Sequence, residues 1–136
     1  MQKKSQIVLM STVAITIVAV VATLWAKPVI KVDENFNNDE FLQAQNESKT
    51  ILVSVHADWC PTCKKQSQII KQLTGDSAYK DVVFLRVNFD NDDKALLKFA
   101  VAHQSTLIVF SGKQEIGRST GETSPDKIRA LLDQGT

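Results

Sequence analysis

Cys60 and Cys63 are the only two cysteines of the chain, and they stand with two residues between them in the stretch "HADWCPTCKKQ", His56 to Gln66. Thiols at that spacing can clip a metal, lock a small structural disulfide, or exchange electrons with another disulfide. Pro61 follows the first cysteine. Proline suits the first turn of a helix, because the N–H it lacks is one the helix leaves unpaired. Cys60 is therefore expected at a helix N-terminus, where free backbone N–H groups and the positive end of the dipole favour thiolate over thiol. Cys63 falls one turn further in, within reach of a disulfide to Cys60 and more shielded. This arrangement suits thiol–disulfide exchange. The Cys60 thiolate attacks a partner's disulfide to give a mixed disulfide, and Cys63 then attacks Cys60 and frees the reduced partner. No cofactor is needed, since the redox-active Cys60–Cys63 pair carries the electrons itself.

Other uses of two cysteines fit less well. A structural zinc site needs four ligands, and beyond the cysteines the chain has only two histidines, His56 and His103. A c-type haem site requires His directly after the second cysteine, where Lys64 stands. A bridge across two intervening residues removes little loop entropy, which argues against a purely structural disulfide. No metal-ligand set is assigned. The alternative to an oxidoreductase is a non-catalytic module that binds copper or another metal, or that docks a partner.

The surrounding elements read as an alternation of strands and helices. "KPVIKVDENFNND" begins with a short tether at Pro28 and a candidate strand at Val29–Val32, and "DEFLQAQNES" from Asp39 reads as a helix. "TILVSVHA", Thr50–Ala57, is a β-branched apolar run of the kind found in buried strands. In the helix after the cysteines Ile69, Ile70 and Leu73 share a face, and Gly75 is expected to end it. "DVVFLRVNFD", Asp81–Asp90, is a second buried strand, and "DDKALLKFAV" a helix whose opening acids suit its dipole. "STLIVF", Ser105–Phe110, is a third strand. A turn at Ser111-Gly112-Lys113 leads to a fourth, "QEIGRST". Ser124 is expected to cap a last helix with Pro125 at its first position and Ile128, Leu131 and Leu132 facing inward. The order β-α-β-α-β-α-β-β-α predicts an α/β fold with a central mixed sheet and helices on both faces. The last two strands, joined by a short turn, are antiparallel.

The first 27 residues read differently. From Ile7 to Ala26, "IVLMSTVAITIVAVVATLWA" is uncharged and mostly apolar. As a helix it rises about 30 Å, the thickness of a bilayer's hydrocarbon core. It is longer than the 7–15-residue apolar region of a cleaved signal peptide, and its best cleavage site, Val20-Val21-Ala22, lies inside the run. We read residues 1–27 as an uncleaved signal anchor, with cleavage as the alternative, and residues 28–136 as one soluble domain. Lys3 and Lys4 put the N-terminus in the cytoplasm by the positive-inside rule, and residues from about 28 onward outside. The expected location is a single pass through the cytoplasmic (inner) membrane with a periplasmic or extracytoplasmic domain. The net charge is +1 over 136 residues, or −1 once Lys3 and Lys4 are set aside. No basic stripe appears, which argues against nucleic acid as a partner.

These residues resemble the thioredoxin superfamily. "ILVSVHADWCPTCKK" is similar to that family's strand and active-site segment, with Trp59 just before the first cysteine. "FLRVNFDND" matches its next strand and "STLIVFSGKQEIGRSTG" its later hairpin. The likeness runs from about residue 29 to 134. With its membrane link the chain looks most like anchored periplasmic thioredoxin-like proteins and the C-terminal domain of membrane thiol–disulfide interchange reductases. The resemblance implies a thioredoxin fold, with Cys60 as attacking and Cys63 as resolving thiol. It implies that Trp59 shields the site and meets partners, with a core aromatic as the lesser alternative. Pro61 and Thr62, and Gln104, Ser105 and Thr106 across the site, complete the residues expected to contact or support a substrate. Gly121 either allows a close backbone approach near the site or serves a plain turn. The implied partners are disulfide-containing protein substrates and, for a reductase, a separate membrane electron donor.

Two departures from the family pattern stand out. Ser105 occupies the place of the family's cis-proline. A cis bond before a non-proline residue costs about 2.5–4 kcal/mol, so a trans Gln104–Ser105 peptide is expected, or a cis one held by its surroundings. Losing a proline that keeps metals off the sulfurs also favours the metal reading slightly. Ser54 stands where many relatives bury an acid below the resolving cysteine. Serine is a poor base, so another group or a water must deprotonate Cys63. Asp58 reads as a solvated loop acid, His56 as a packed strand-end histidine, and Lys64 and Lys65 as a solvated face from which Lys64 can add positive potential near Cys60. The direction of electron flow is open: potentials in this chemistry span about −120 to −270 mV, and Pro61-Thr62 does not decide among them. A reductase is the favoured direction.

Overall fold

The computed structural model describes residues 36–136. The apolar run Ile7–Ala26 and the strand expected at Val29–Val32 lie outside the described residues. Among the described residues no helix is long and apolar enough to cross a membrane.

Helix α1 spans Asn38–Asn46, opened by the Asn37 side chain, which accepts the N–H groups of Asp39 and Glu40. Strand β1 (Thr50–His56) leads to the cysteines, and helix α2 (Pro61–Thr74) starts directly after Cys60. A 3-10 turn at Ser77–Tyr79 precedes strand β2 (Val83–Asn88). Helix α3 (Asp93–Lys98), strands β3 (Thr106–Ser111) and β4 (Gln114–Thr120), and helix α4 (Pro125–Leu132) complete the chain.

The strands form one mixed sheet in the order β2-β1-β3-β4. β1 runs parallel to β2 and antiparallel to β3, and β3 antiparallel to β4 with an irregularity at Val109/Phe110. Side chains alternate across a strand, and the two faces of β1 take different partners. Ile51, Val53 and Val55 pack with Phe41 and Ala44 of α1, with Ala95 of α3 and with Phe99 at its end. Leu52 packs with Ile69 and Leu73 of α2 and with Ile128 and Leu132 of α4. Helices on both faces bury β1 on both sides, which explains why its sequence reads as an unbroken apolar run rather than an alternation. Each fully buried Leu, Ile or Val here contributes about 1.5–3 kcal/mol through apolar burial. On the α1 side Phe41 meets Phe99 and Phe110 edge-on, with ring centroids 5.2 and 5.3 Å apart.

Several local expectations give way to longer-range partners. Gly75 does end α2, but at φ −86° it needs no glycine freedom. The chain turns off because Asp76 starts the 3-10 turn by accepting the Ala78 N–H. Ser124 sits at the N-cap of α4 without a side-chain capping bond. The Glu122 carboxylate accepts the N–H groups of Thr123 and of Ser124 itself, at 3.0 and 2.8 Å, and so fixes the chain just before the helix. Helix α3 stops at Lys98, with Ala100 at φ +50°, and β3 begins at Thr106 because Ser105 takes φ +59°.

Candidate active site

Three pieces of chain build the site: the end of β1, the first turn of α2, and the bend before β3. The Cys60 N–H donates to the Ala57 carbonyl at 3.1 Å, turning the chain from strand into helix. Cys60 is the N-cap of α2 in extended backbone, with Pro61 at the first helical position. Its sulfur takes the place of a capping oxygen and accepts the Cys63 N–H at 3.3 Å. Cys63, one turn on, also lies against the Val55 carbonyl, 4.0 Å from its sulfur. Both cysteines are free thiols and both are buried, Cys60 at 4 % and Cys63 at 1 % exposure.

The third piece brings Ser105 between them. Its hydroxyl oxygen lies 3.2 Å from the Cys60 sulfur and 3.0 Å from the Cys63 sulfur. Ser105 holds a left-handed backbone that is uncommon for a residue with a side chain, and its neighbours enforce it. Its N–H donates to the Val55 carbonyl at 2.9 Å, while its own carbonyl accepts the Gly121 N–H at 2.9 Å and the Gln66 side-chain amide at 3.0 Å. The peptide before Ser105 is trans, since no cis bond occurs among the described residues.

This environment pulls the two thiols apart in acidity. Burial pushes the Cys60 thiol up, but hydrogen bonds from Cys63, Ser105 and the backbone N–H groups of Cys63 and Thr62 outweigh it and leave its pKa lowered to about 7. Cys63 moves the other way, raised first by burial and then by its bond to Cys60. The arrangement can hold one sulfur ionised near neutral pH and keep a proton on the other.

The remaining expected residues fall in varied places. Pro61 is exposed and Thr62 half-buried on the first turn, and Gln104 is half-buried beside Ser105. Thr106 turns into the hairpin, its hydroxyl donating to the His103 carbonyl at 2.8 Å and sharing a bond with the Thr120 hydroxyl at 3.0 Å. It ties the bend in place rather than facing the sulfurs. Trp59 is not a core aromatic: it is 60 % exposed, and its indole N–H donates to the Asp90 carboxylate at 3.1 and 3.2 Å. The aromatic ring packed against the cysteines is Phe89, next in sequence to Asp90. Gly121 has open space where a side chain would begin, and its φ of +77° is what calls for glycine.

Neither acid–base candidate near the cysteines is bonded to them. His56 is buried, with one ring nitrogen 3.2 Å from the Ser67 hydroxyl and the other 3.2 Å from Asp58. Burial, followed by the charge of Arg86, lowers its pKa despite Asp58. Ser54 is buried beside a cleft of about 430 Å³ under α2, whose lining includes Arg86 and Lys71 but no carboxylate. Lys64 and Lys65 are exposed. No cluster of three or more His, Cys, Asp or Glu side chains suited to a metal ion occurs among the described residues.

Gln66 escaped the sequence reading. It is 1 % exposed, and its amide N–H groups reach both the Ser105 carbonyl and the Glu122 carbonyl, at 3.0 and 2.9 Å. The available signal was its position three residues after Cys63, a polar side chain on the stripe that continues through Ile69 and Leu73.

A Cys-x-x-Cys pair capping a helix that packs on a mixed sheet defines a class, the dithiol oxidoreductases. The comparisons with known proteins agree. The family model Thioredoxin matches residues 27–134. The crystal structure of Trxlp from Edwardsiella tarda EIB202 is similar at 42 % identity and a TM-score of 0.70, over 72 % of this chain and 95 % of that one. Thioredoxin from Staphylococcus haemolyticus (strain JCSC1435) is 31 % identical over 107 residues, 78 % of this chain and 96 % of its own length. Thioredoxin H2-1 from Oryza sativa subsp. japonica is 29 % identical over 94 residues, covering 68 % of this chain and 67 % of its own. The chain belongs to the thioredoxin family, as a thiol–disulfide oxidoreductase with its two cysteines side by side.

Proposed function

We propose that this protein reduces disulfides in protein substrates on the outer side of the cytoplasmic membrane, held there by residues 7–26 and re-reduced by a separate membrane electron donor. Cys60 attacks and Cys63 resolves. The observation that carries this reading is the split in acidity within one helical turn, with Cys60 near 7 and Cys63 raised. A low-pKa thiol at the mouth of the pair supplies nucleophile at neutral pH, and a protonated thiol behind it waits until a mixed disulfide forms. Exposed Trp59 and Pro61 flank the attacking sulfur and offer a surface to an approaching chain. The anchor is supported by the uncharged stretch Ile7–Ala26, and the outward placement by Lys3 and Lys4 before it.

The test uses the full-length protein in detergent with insulin as disulfide substrate and dithiothreitol as electron source. The wild type should turn over, and Cys63→Ser, reduced beforehand and freed of dithiothreitol, should stop after one step with substrate covalently held on Cys60. Inertness of the wild type together with failure of Cys63→Ser to trap any partner would reject the reading. Protease added to intact spheroplasts should digest residues after 28 while leaving the anchor in the membrane pellet. Protection of the domain would reject the placement.

A further inference from the structure

Among the described residues no carboxylate lies within hydrogen-bond distance of either sulfur, and the cleft beside buried Ser54 holds none, so some other group must manage the proton of Cys63. We propose that the Ser105 hydroxyl is a catalytic proton carrier, taking the Cys63 proton and handing its own to the thiolate that leaves Cys60. The proposal rests on the dithiol-exchange reading above and deepens it.

Among the described residues Ser105 supplies the one side-chain oxygen within hydrogen-bond distance of either sulfur, and it reaches both. A hydroxyl has one proton to give and two lone pairs to receive. It can therefore donate to a Cys60 thiolate and accept from the Cys63 thiol at once. The residue is 5 % exposed, and its backbone is fixed from three sides by Val55, Gln66 and Gly121. Charged groups near the site are engaged elsewhere. Asp58 faces His56, which also meets Ser67. Asp90 holds the Trp59 indole, and Lys64 lies on the exposed face of α2. A proline in the place of Ser105 has neither donor nor hydroxyl oxygen, so this capability belongs to the serine.

The steps balance. The Cys60 thiolate attacks a disulfide R–S–S–R′, forming the Cys60–S–R bond and releasing R′–S⁻, which takes a proton from water. Cys63 sulfur then attacks Cys60 sulfur, and the Cys60–S–R bond breaks with its electron pair on the R sulfur. As this happens the Cys63 proton moves to the Ser105 oxygen, and the Ser105 proton moves to the R sulfur. The dithiol has lost two electrons, the partner has gained them, and Ser105 ends as it began.

The experiment compares full-length wild type with Ser105→Ala and Ser105→Gly, the second accepting the left-handed backbone freely. Each protein is loaded on Cys60 with glutathione or with thionitrobenzoate, and release by Cys63 is followed in a single turnover. Glutathione leaves as a basic thiolate that needs a proton, whereas thionitrobenzoate leaves as a stable anion that needs none. Loss of the hydroxyl should slow glutathione release about tenfold or more and thionitrobenzoate release several-fold less. The pH profile of Cys60 alkylation in the free dithiol should move up by about one to two units, the size expected for losing one hydrogen bond to a charged group. Equal slowing of both leaving groups, or unchanged release, would overturn the relay, whichever of the two variants folds. If Cys63→Ser releases either group as fast as wild type, dithiol exchange itself fails, so the two failures are told apart.

Discussion

Raising the pH of the reduced protein from about 6 to about 8.5 should stabilise its fold through Cys60. The sulfur's pKa falls from the ordinary 9.0 to about 7 on folding. Between those values the folded state carries a thiolate where the unfolded chain still carries a thiol. The unfolded state binds more protons, and stability therefore rises with pH. The contribution is fully present above the unfolded value and is lost as pH falls through about 7. Two units convert at 1.36 kcal/mol each to about 2.7 kcal/mol. Cys60 itself is 4 % exposed, but its neighbours Trp59 and Pro61 are open to water. Solvent screening trims the gain to about 1–2 kcal/mol. Cys63 opposes it at higher pH: its folded value is raised, so above about 9 the unfolded chain ionises this thiol while the folded protein does not, and stability declines. The reduced protein should thus be most stable near pH 8.5–9. Urea unfolding under reductant at half-unit steps from pH 6 to 9.5 measures this in wild type and in Cys60→Ser, whose difference cancels the titrating groups that Cys60 does not touch. At a slope of about 2 kcal/mol per molar urea the wild-type midpoint should gain about 0.5–1 M over the variant between pH 6 and 8.5. Two midpoint curves that run parallel across that window would refute the ionised-sulfur account.

Two further expectations concern the frame around the site. At Gly135, held by the Thr50 hydroxyl through its carbonyl, a Cβ would stand 2.8 Å from Ile116 Cδ1, 2.9 Å from Thr50 Cγ2 and 3.2 Å from Val109 Cγ1. Gly135→Ala should therefore cost about 1–3 kcal/mol by overpacking, visible as a lower melting temperature; an unchanged one would mean that the C-terminus does not dock on β1 and β4 as described. Ala100 holds φ +50°, where an L-residue pays about 1–2 kcal/mol and glycine gives back about 0.5–1 in chain entropy. Ala100→Gly should raise the urea midpoint slightly, by the equivalent of about 0.5 kcal/mol, and a fall would show that the left-handed turn after α3 is not strained.

Much of the frame was legible because its causes are local or strongly patterned. Thr50–His56 and Thr106–Ser111 are largely apolar and almost wholly buried, and Val83–Asn88 is broken only by half-buried Arg86 and Asn88, so each reads as a strand. Pro61 after Cys60 announces a helix start from the covalent structure of proline alone. The reading missed where a neighbour distant in sequence overrode a local preference. Ser124 carries the right side chain for a cap, yet it makes no capping bond, and its own N–H goes to Glu122. Phe89 was not singled out, yet it packs beside the sulfurs, while Asp90 holds the exposed Trp59 indole from 31 residues on.

What the chain order alone determined is the relation of Cys60 to Cys63, because a helix sets its third residue's N–H against its cap over a few bonds. What the tertiary structure decided is which oxygen stands between the two sulfurs. Ser105 is 45 residues from Cys60, and its left-handed bend is set by partners on β1, on α2 and after β4. No window of sequence contains those partners together. Only the packed sheet brings them within reach, since the hydrogen bonds that hold such a bend form between segments that meet after folding.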